Sequence, residues 1–331
     1  MAQRKKKDKG SKMPGVVIAF RVISVILLFF LVPFYIDRDE RVYAVTIWPA
    51  IVWSGLGFLL LLPGIRRYRN RQFYALVGAW LGLALVFSEE WIGLSHLFSA
   101  AALKPDLTVV TLNCAGGNPL AANEVGEYHP DLVLLQESPS STEIADLTRK
   151  LYGKEGASLP GADASIVVHG TIEPMALPRA TNDFVAAHVT LWNGRKLVVV
   201  SLRLAPPVFR LDYWSADCWR EYSDSYLIRQ KELRGIMDYL LSHTKDEPII
   251  LGGDFNTPPE PGIFECMHPR LRDVYPESGT LWGYTAVNEF PLARIDQIWV
   301  SRNFKALDTT AFKTEHSDHR LVRVKLRFSQ D

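Results

Sequence analysis

Three long apolar runs open the chain, and shorter apolar runs separated by turn residues follow them. The long runs cover residues 16–36, 42–62 and 73–90. A helix needs roughly 20 apolar residues to cross a hydrocarbon core of about 30 Å, and the first two runs reach that length. The third run is shorter, so it could instead be a buried helix of the following domain. We predict three transmembrane helices within a membrane anchor spanning residues 16–103.

Beyond residue 103 the apolar runs are short and are bounded by turn residues, which is typical of β-strands. The predicted strands are Leu107–Leu112, Asp131–Leu135, Ala164–Val168, Phe184–Leu191, Leu197–Leu204, Pro248–Leu251, Ile295–Val300 and Leu321–Phe328. Helical spacing predicts helices over residues 141–151 and 226–243, with an aromatic loop over residues 205–226. Strands alternating with few helices predict a mixed α/β domain over residues 104–331.

Basic residues alternate between the segments that join the apolar runs. Six Lys or Arg residues lie in the tail (1–15), two lie among three acids in the first connection (37–41), and four lie in the second (66–71). Cytoplasmic connections are enriched in Lys and Arg. We therefore predict a multi-pass protein of the cell membrane with a cytoplasmic N-terminus and an extracytoplasmic C-terminal domain. If the third run did not span, that domain would be cytoplasmic.

Charge and cysteine content exclude some classes of site. The 331 residues carry a net charge of +1, which divides into +7 for residues 1–103 and −6 for residues 104–331. The C-terminal domain therefore lacks the basic balance of a broad nucleic-acid-binding face. Cys114, Cys218 and Cys266 lie far apart without C-x-x-C spacing, which excludes a cysteine zinc site and a disulfide framework.

Polar residues follow several predicted strands directly. In the loop Leu251–Pro258 two glycines permit a sharp turn, and Asp254 and Asn256 then face the same side of an extended segment. The other polar residues near strand ends are Asn113, Glu137, Asp296 and His319. Each alone could be a turn, a cap, an ion pair or a core histidine. Together, on one edge of an α/β sheet, they predict a functional site.

Five short motifs, in this order, resemble the exonuclease–endonuclease–phosphatase superfamily. They are Leu112-Asn113, Gln136-Glu137, Gly253–Asn256 (GDFN), Arg294–Ile298 (RIDQI) and Ser317–His319 (SDH). The resemblance extends from about Leu107 to Phe328 and leaves out the apolar runs. It implies a deoxyribonuclease-I-like fold, a four-layer α/β sandwich of two mixed sheets flanked by helices, here preceded by three transmembrane helices.

The resemblance also implies a metal ion and its ligands. Glu137, helped by Asn113 and Asp318, would hold Mg²⁺, because hard oxygen ligands suit that ion. Mn²⁺ is a plausible substitute. The ion would polarise a phosphoryl oxygen and offset the charge that builds on the leaving group.

Four further residues take catalytic roles by the same resemblance. Asp254 would orient or deprotonate the attacking water, and Asn256 would hold that water or a phosphate oxygen. His319 would donate a hydrogen bond to a nonbridging phosphate oxygen, with its tautomer and charge set by Asp296. A donor directed at developing charge contributes roughly 3–4 kcal/mol to catalysis.

One position departs from the pattern of many family members, which carry a histidine in the strand at Leu197–Leu204. Here Arg203 takes that place. A guanidinium can bind phosphate, but it stays protonated near neutral pH and cannot act as a general acid. We assign Arg203 to substrate binding, and the group that protonates the leaving oxygen stays open between metal-bound water and a tyrosine of residues 205–226.

The sequence therefore indicates a membrane-anchored phosphoester hydrolase of nuclease or phosphodiesterase type. Its substrate would be a nucleic acid, a phospholipid or a small phosphate ester, and its other partner would be the lipid bilayer, through the N-terminal helices. No protein partner is predicted. The alternative is a non-catalytic membrane receptor or binding module that keeps the fold, but the metal and base residues of the motifs are all present.

Overall fold

The computed structural model describes residues 13–96, 103–176, 184–280 and 282–329. The chain divides into two compact units. The first holds Met1–Asp37 and Pro49–Ser88, and the second holds Arg38–Trp48 and Glu89–Asp331. Most of the predicted basic tail, residues 1–12, lies outside the described residues.

Four helices stand where three spanning helices were predicted. They are α1 (Gly15–Asp37), α2 (Tyr43–Thr46), α3 (Ala50–Leu61) and α4 (Arg71–Phe87). Within the described residues only α1 is long and apolar enough to cross a membrane. Helix α3 has 12 residues and α4 has 17, fewer than the roughly 20 that a spanning helix typically needs. The prediction of three spanning helices is therefore not supported, and the second run breaks before Pro49 because the residue preceding a proline avoids helical geometry.

The first unit buries polar side chains and exposes apolar ones. Trp80 Nε1 donates a 2.8 Å hydrogen bond to Ser24 Oγ, and Arg21 Nη1 donates one of 3.0 Å to Asn70 Oδ1. On the outer face of α1, Phe29 is 74% exposed. Helices that lie in lipid also expose apolar side chains and pair their buried polar groups.

The segment between α1 and α3 belongs to the second unit. Tyr43 is completely buried, and its hydroxyl lies 2.8 Å from Thr257 Oγ1 and accepts a 2.9 Å hydrogen bond from Arg229 Nη2. Its ring packs edge-on against Tyr226. Part of the predicted second span is therefore core of the C-terminal domain, which is as apolar as a membrane helix.

Eleven strands form one hydrogen-bonded sheet in the described part of the second unit. They are β1 (Leu107–Asn113), β2 (Leu132–Gln136), β3 (Gly156–Leu159), β4 (Ala164–Pro174), β5 (Phe184–Leu191), β6 (Lys196–Arg203), β7 (Ile249–Asp254), β8 (Leu271–Asp273), β9 (Asp296–Ser301), β10 (Phe304–Phe312) and β11 (Leu321–Phe328). Their order is β10-β11-β1-β2-β4-β5-β6-β7-β9-β8, and β3 pairs with β4. The β1–β2 and β6–β7 pairs are parallel.

The predicted pair of sheets is joined through one long strand. Residues Ala164–Val168 of β4 pair with β2, whereas Gly170–Pro174 pair with β5. Gly170 lies between the two parts with φ 145°, where an added Cβ would overlap the carbonyl oxygen of Thr190. Only glycine fits there, and the mixed sheet curls at this point into two facing halves.

Three buried clusters separate four layers. The middle cluster fills the space between the two sheet halves and includes Val109 and Val199. The outer clusters pack helices against each half, with Ile144 on one side and Leu233 on the other. Besides α2, the described α-helices of this unit are α5 (Glu90–His96), α6 (Pro119–Glu124), α7 (Ser141–Tyr152), α8 (Ala216–His243), α9 (Pro261–Phe264) and α10 (Tyr275–Ser278). This arrangement agrees with the predicted α/β layers.

The longest helix of the second unit begins earlier than predicted. The sequence placed a loop over residues 205–226, but α8 starts at Ala216. Ser215 Oγ accepts a hydrogen bond from the Asp217 amide and so caps the first turn. The aromatic residues of this stretch therefore divide between a short loop and a buried helical face.

Candidate functional site

Strand register brings the predicted site residues to one edge of the sheet. Asn113 at the end of β1 pairs with Gln136 at the end of β2. Arg203 at the end of β6 pairs with Asp254 at the end of β7. Asp254 also pairs with Asp296, the first residue of antiparallel β9. The carboxylates thus meet because the strands that carry them end, or begin, at the same level.

Strained backbone marks the same edge. Five non-glycine residues have a positive φ in the described part of the chain, and three of them are Ala115 (47°), Glu137 (43°) and Asn256 (50°). Left-handed backbone costs roughly 1–2 kcal/mol for a residue with a Cβ, and such strain concentrates at functional sites. In this fold the left-handed backbone turns Glu137 and Asn256 away from the strands that precede them and toward the site at the sheet edge.

Asp254 is a buried carboxylate held by amide donors. Its Oδ2 accepts a 3.0 Å hydrogen bond from Asn113 Nδ2, and its Oδ1 accepts a 2.8 Å hydrogen bond from the Asn256 amide. Burial and the nearby charge of Asp296 raise the pKa of Asp254 to about 7, although the charge of His319 works in the opposite direction. A carboxyl with such a pKa can accept a proton near neutral pH.

His319 and Asp296 form a buried ion pair. His319 Nδ1 lies 2.8 Å from Asp296 Oδ2. Burial alone would lower the pKa of His319, but the charge and hydrogen bond of Asp296 outweigh it and raise that pKa to about 10. The imidazole is therefore positively charged at neutral pH. Thr285 Oγ1 accepts from the Asp296 amide at 3.1 Å and fixes the start of β9.

Glu137 is the more accessible carboxylate of the site. Its Oε1 accepts hydrogen bonds from Asn113 Nδ2 (3.2 Å) and Arg203 Nη2 (2.7 Å), and its Oε2 accepts one from the Gly116 amide (2.5 Å). Burial would raise the pKa of Glu137, but these donors and the charge of Arg203 lower it overall. Glu137 is therefore ionised at neutral pH.

Arg203 lies among three carboxylates. Besides its bond to Glu137, Nη1 donates a 2.9 Å hydrogen bond to Asp163 Oδ2, and Nε lies 3.9 Å from Asp254 Oδ2. The hydrogen bond and charge of Asp163 raise the pKa of Arg203 against the opposing effect of burial. The structure thus places the predicted substrate-binding cation directly on a predicted metal ligand.

Asn256 and Asp318 occupy different environments. Asn256 is buried, and its Nδ2 donates a 2.8 Å hydrogen bond to the Leu204 carbonyl, which orients the carboxamide. Asp318 is exposed, and its charge contributes to the raised pKa of His319. The structure therefore brings Asn256 to the site as predicted, while Asp318 lies beside it at the surface.

Residues 110–319 match the Endonuclease/Exonuclease/phosphatase family. The chain belongs to this family. Comparison with solved structures supports the same fold. A mannosyl-6-phosphatase of Bacteroides thetaiotaomicron superposes with a TM-score of 0.50 at 17% identity, over 67% of this chain and all of its own. A humanized TDP2 of D. rerio gives 0.50 at 17% identity over 67% of this chain and 98% of its own.

The catalytic domain of human Nocturnin gives a TM-score of 0.51 at 17% identity over 69% of this chain and 97% of its own. Likeness at this level of identity shows the shared fold alone. No curated protein matches the chain.

The donor atoms of this endonuclease/exonuclease/phosphatase site fit a divalent cation. The donors around Asn113 and Glu137 are carboxylate and carboxamide oxygens, which Mg²⁺ prefers. Asp296 Oδ1 is buried and lacks a hydrogen-bond partner among the described residues. A second set of ligand atoms lies within 4.8 Å of one another, one from each of Asp254, Asp296 and His319. However, a protonated imidazole cannot coordinate a metal. This favours metal binding at Glu137 over metal binding at His319.

Two residues of the site were not predicted. Asp163 orients Arg203, and Ser317 Oγ donates a 2.7 Å hydrogen bond to the Asn113 carbonyl while accepting one from the His319 amide at 3.0 Å. Ser317 lies inside the Ser317–His319 motif, so its position was available from the sequence. No motif around Asp163 in the sequence marks it as a site residue, because it comes to the site only through the pairing of β2 with β4.

Proposed function

We propose that this member of the endonuclease/exonuclease/phosphatase family is a membrane-tethered, metal-dependent phosphoester hydrolase. The observation that carries the proposal is the convergence of Glu137, Asp254, Asp296 and His319 at one sheet edge. The edge holds a buried base, a charged donor and an oxygen-rich metal site within the stretch that matches the family.

Asp254 is the base of the proposed reaction. Its carboxylate takes a proton from water, the water oxygen forms a bond to phosphorus, and the bond from phosphorus to the ester oxygen breaks. The pKa of about 7 suits this transfer, because a base works best when its pKa lies near the working pH. Asn113 and the Asn256 amide hold the carboxylate in one orientation.

His319 stabilises the charge that develops on phosphate. Its Nδ1 is held by Asp296, which leaves Nε2 as the donor for a nonbridging phosphate oxygen. Asp296 keeps the ring charged and oriented throughout the reaction. Fixed donors of this kind reduce the barrier because they need no reorganisation as charge builds.

Glu137 and Asn113 would hold the metal ion, Mg²⁺ or Mn²⁺, with Asp318 as a further carboxylate at the surface. When bound, the ion polarises a phosphoryl oxygen and offsets charge on the leaving group. Arg203, held by Asp163, adds a second positive charge for the phosphate. Because its guanidinium stays protonated, Arg203 binds charge and does not supply the proton of the leaving group.

Helix α1 would attach the enzyme to a lipid bilayer. Residues 38–48 and 89–331 fold into one unit, so both lie on the same side of the membrane. With six basic residues before α1, the N-terminus would be cytoplasmic and the hydrolase domain extracytoplasmic.

A metal-dependence screen tests the proposed function. The full chain in nonionic detergent is expected to hydrolyse bis(4-nitrophenyl) phosphate with Mg²⁺ or Mn²⁺ and to stop when the metal is chelated. Glu137→Gln should reduce turnover by about 100-fold or more, whereas Glu127→Gln, at an exposed position, should not. Binding of phosphoesters without turnover would favour the alternative of a non-catalytic binding module.

A further inference from the structure

An apolar cavity of about 130 Å³ opens beside the catalytic edge. Its walls come from five separate parts of the second unit. They are the segment before α3 (Ile47 and Trp48), the loop after β6 (Phe209), helix α8 (Tyr222), the loop after β7 (Asn256 and Pro258), and the stretch before β9 (Val287, Leu292 and Ile295). The cavity therefore exists only where the segment between α1 and α3 packs on the hydrolase domain.

Two wall residues connect this cavity directly to the site. Asn256 lines the cavity, and its amide binds Asp254. Ala286 lines it as well, and its backbone forms a bridge with His319. A phosphate held by His319 would therefore lie close to two residues of the cavity wall.

The polar atoms of the walls are already bonded within the protein. Asn256 Nδ2 donates to the Leu204 carbonyl at 2.8 Å, and Trp48 Nε1 donates to Tyr213 Oη at 2.9 Å. Tyr222 Oη donates to the Arg210 carbonyl at 3.0 Å. The remaining lining is hydrocarbon and aromatic, so an occupant gains from burying apolar surface and finds few hydrogen-bond partners.

Apolar side chains at the mouth are exposed to an unusual degree. Phe209 and Val287 line the cavity and are 72% and 56% exposed. Phe209 packs edge-on against Trp48 with ring centroids 5.4 Å apart. Nearby in the chain, Leu211, Trp214 and Phe290 are 63%, 88% and 73% exposed. Apolar surface of this kind commonly marks a site of contact with a ligand or a membrane.

We propose that this cavity is the subsite for the alkyl chain of an amphiphilic phosphoester, so that the substrate class is a lipid phosphoester. The inference rests on the proposed hydrolase function. A nucleobase fits the cavity poorly, because its polar edges would lose hydrogen bonds to water and find few partners in the walls. The segment that supplies Ile47 and Trp48 follows α1 directly, which places the subsite close in sequence to the membrane helix.

Phosphodiesters that share the 4-nitrophenolate leaving group but differ in the length of the alkyl chain test the subsite. The full chain in lipid nanodiscs would be given methyl 4-nitrophenyl phosphate and a series with longer alkyl chains, with 4-nitrophenolate release as the readout. The kcat/KM is expected to rise about fourfold for each buried methylene, until the cavity is full. Within each variant, the kcat/KM for the octyl ester is divided by that for the methyl ester. A partial loss of folded enzyme lowers both values equally and cancels in this ratio.

Leu292→Trp fills the cavity, and Val287→Asp places a charge at its mouth. Both should reduce the octyl-to-methyl ratio by tenfold or more, while Leu120→Trp, at an exposed leucine elsewhere, should keep the wild-type ratio. An equal ratio in Leu292→Trp and Leu120→Trp would overturn the subsite, because chain preference would then come from partition into the lipid.

The outcomes for the wild type separate the two proposals. Equal hydrolysis of both esters would refute the subsite and leave the hydrolase intact. Hydrolysis of neither would refute the hydrolase and the subsite together. Preference for a thymidine 4-nitrophenyl phosphodiester over the octyl ester would replace the lipid by a nucleic acid.

Discussion

Arg203 Nη2 lies 2.7 Å from Glu137 Oε1, so a permanent cation contacts the carboxylate that is predicted to hold the metal ion. The guanidinium competes with a metal for this oxygen and also lies where a phosphate would approach. The position that many family members give to a neutral or titratable histidine is here a fixed positive charge. We expect this exchange to weaken metal binding and to increase turnover.

Replacement of this arginine should separate the two effects. In Arg203→Ala, loss of a donor to the phosphate is expected to reduce kcat by about 100-fold. The metal concentration for half-maximal activity should fall, because Glu137 no longer pairs with a cation. Steady-state kinetics across a Mg²⁺ titration measure both. Arg149→Ala, at an exposed arginine, is the matched control, and an unchanged kcat in Arg203→Ala would contradict the assigned role.

The His319–Asp296 pair is expected to behave as one unit in a double-mutant cycle. Removing one partner of a buried ion pair typically costs about 3–5 kcal/mol of unfolding free energy, because the other charge is left alone. His319→Ala should therefore be strongly destabilising, and adding Asp296→Asn to it should restore part of the loss. Denaturant unfolding of the four proteins gives the coupling energy. Additive effects would show that the two groups do not interact.

Glu260 should make stability depend on pH. This glutamate is buried, and burial raises its pKa to about 8 from an ordinary value of 4.5, against the opposing charge of Arg38. Between these two pH values Glu260 is ionised in the unfolded chain but protonated in the folded chain. Its contribution to the free energy of unfolding is therefore fully present below about pH 4.5 and declines as pH rises toward 8.

Glu260→Gln removes the group that binds a proton on folding. The thermal unfolding midpoint of this variant should therefore exceed that of the wild type at pH 8 and approach it at pH 5. Glu127→Gln, at an exposed position, should follow the wild type at both pH values. Parallel pH profiles for Glu260→Gln and the wild type would show that Glu260 does not titrate in this window.

The proposed orientation of the chain, with α1 crossing the membrane once, can be tested at both termini. In intact cells a C-terminal tag should be accessible to an added protease, whereas an N-terminal tag should become accessible only after permeabilisation. Accessibility of both tags on one side would show that α1 does not cross the membrane.

The site could be predicted from the sequence because its residues follow strands directly. Asn113, Asp254 and Asp296 each stand at a strand end, and strand register alone brings them together. Asp163 could not be predicted, because its approach to Arg203 depends on how β4 bends between the two halves of the sheet. The same bend joins the two predicted sheets into one.

The error in the apolar runs has a physical cause. Tyr43 and Ala44 are apolar and fully buried, but they are buried by α8 and the loop after β7 of the C-terminal domain. Hydropathy reports only that a residue avoids water, and a protein core satisfies that condition as well as lipid does. The run at 42–62 therefore combined a core segment with a short helix of the other unit.

The central claim is that water, activated at Asp254, attacks phosphorus. Hydrolysis of bis(4-nitrophenyl) phosphate by the full chain in water enriched in ¹⁸O, with Mg²⁺ present, tests it directly by mass spectrometry of the products. We expect one ¹⁸O atom in the phosphate product and none in 4-nitrophenol, with the rate reduced by about 100-fold or more in Asp254→Asn. Label in 4-nitrophenol, or an undiminished rate in Asp254→Asn, would contradict it.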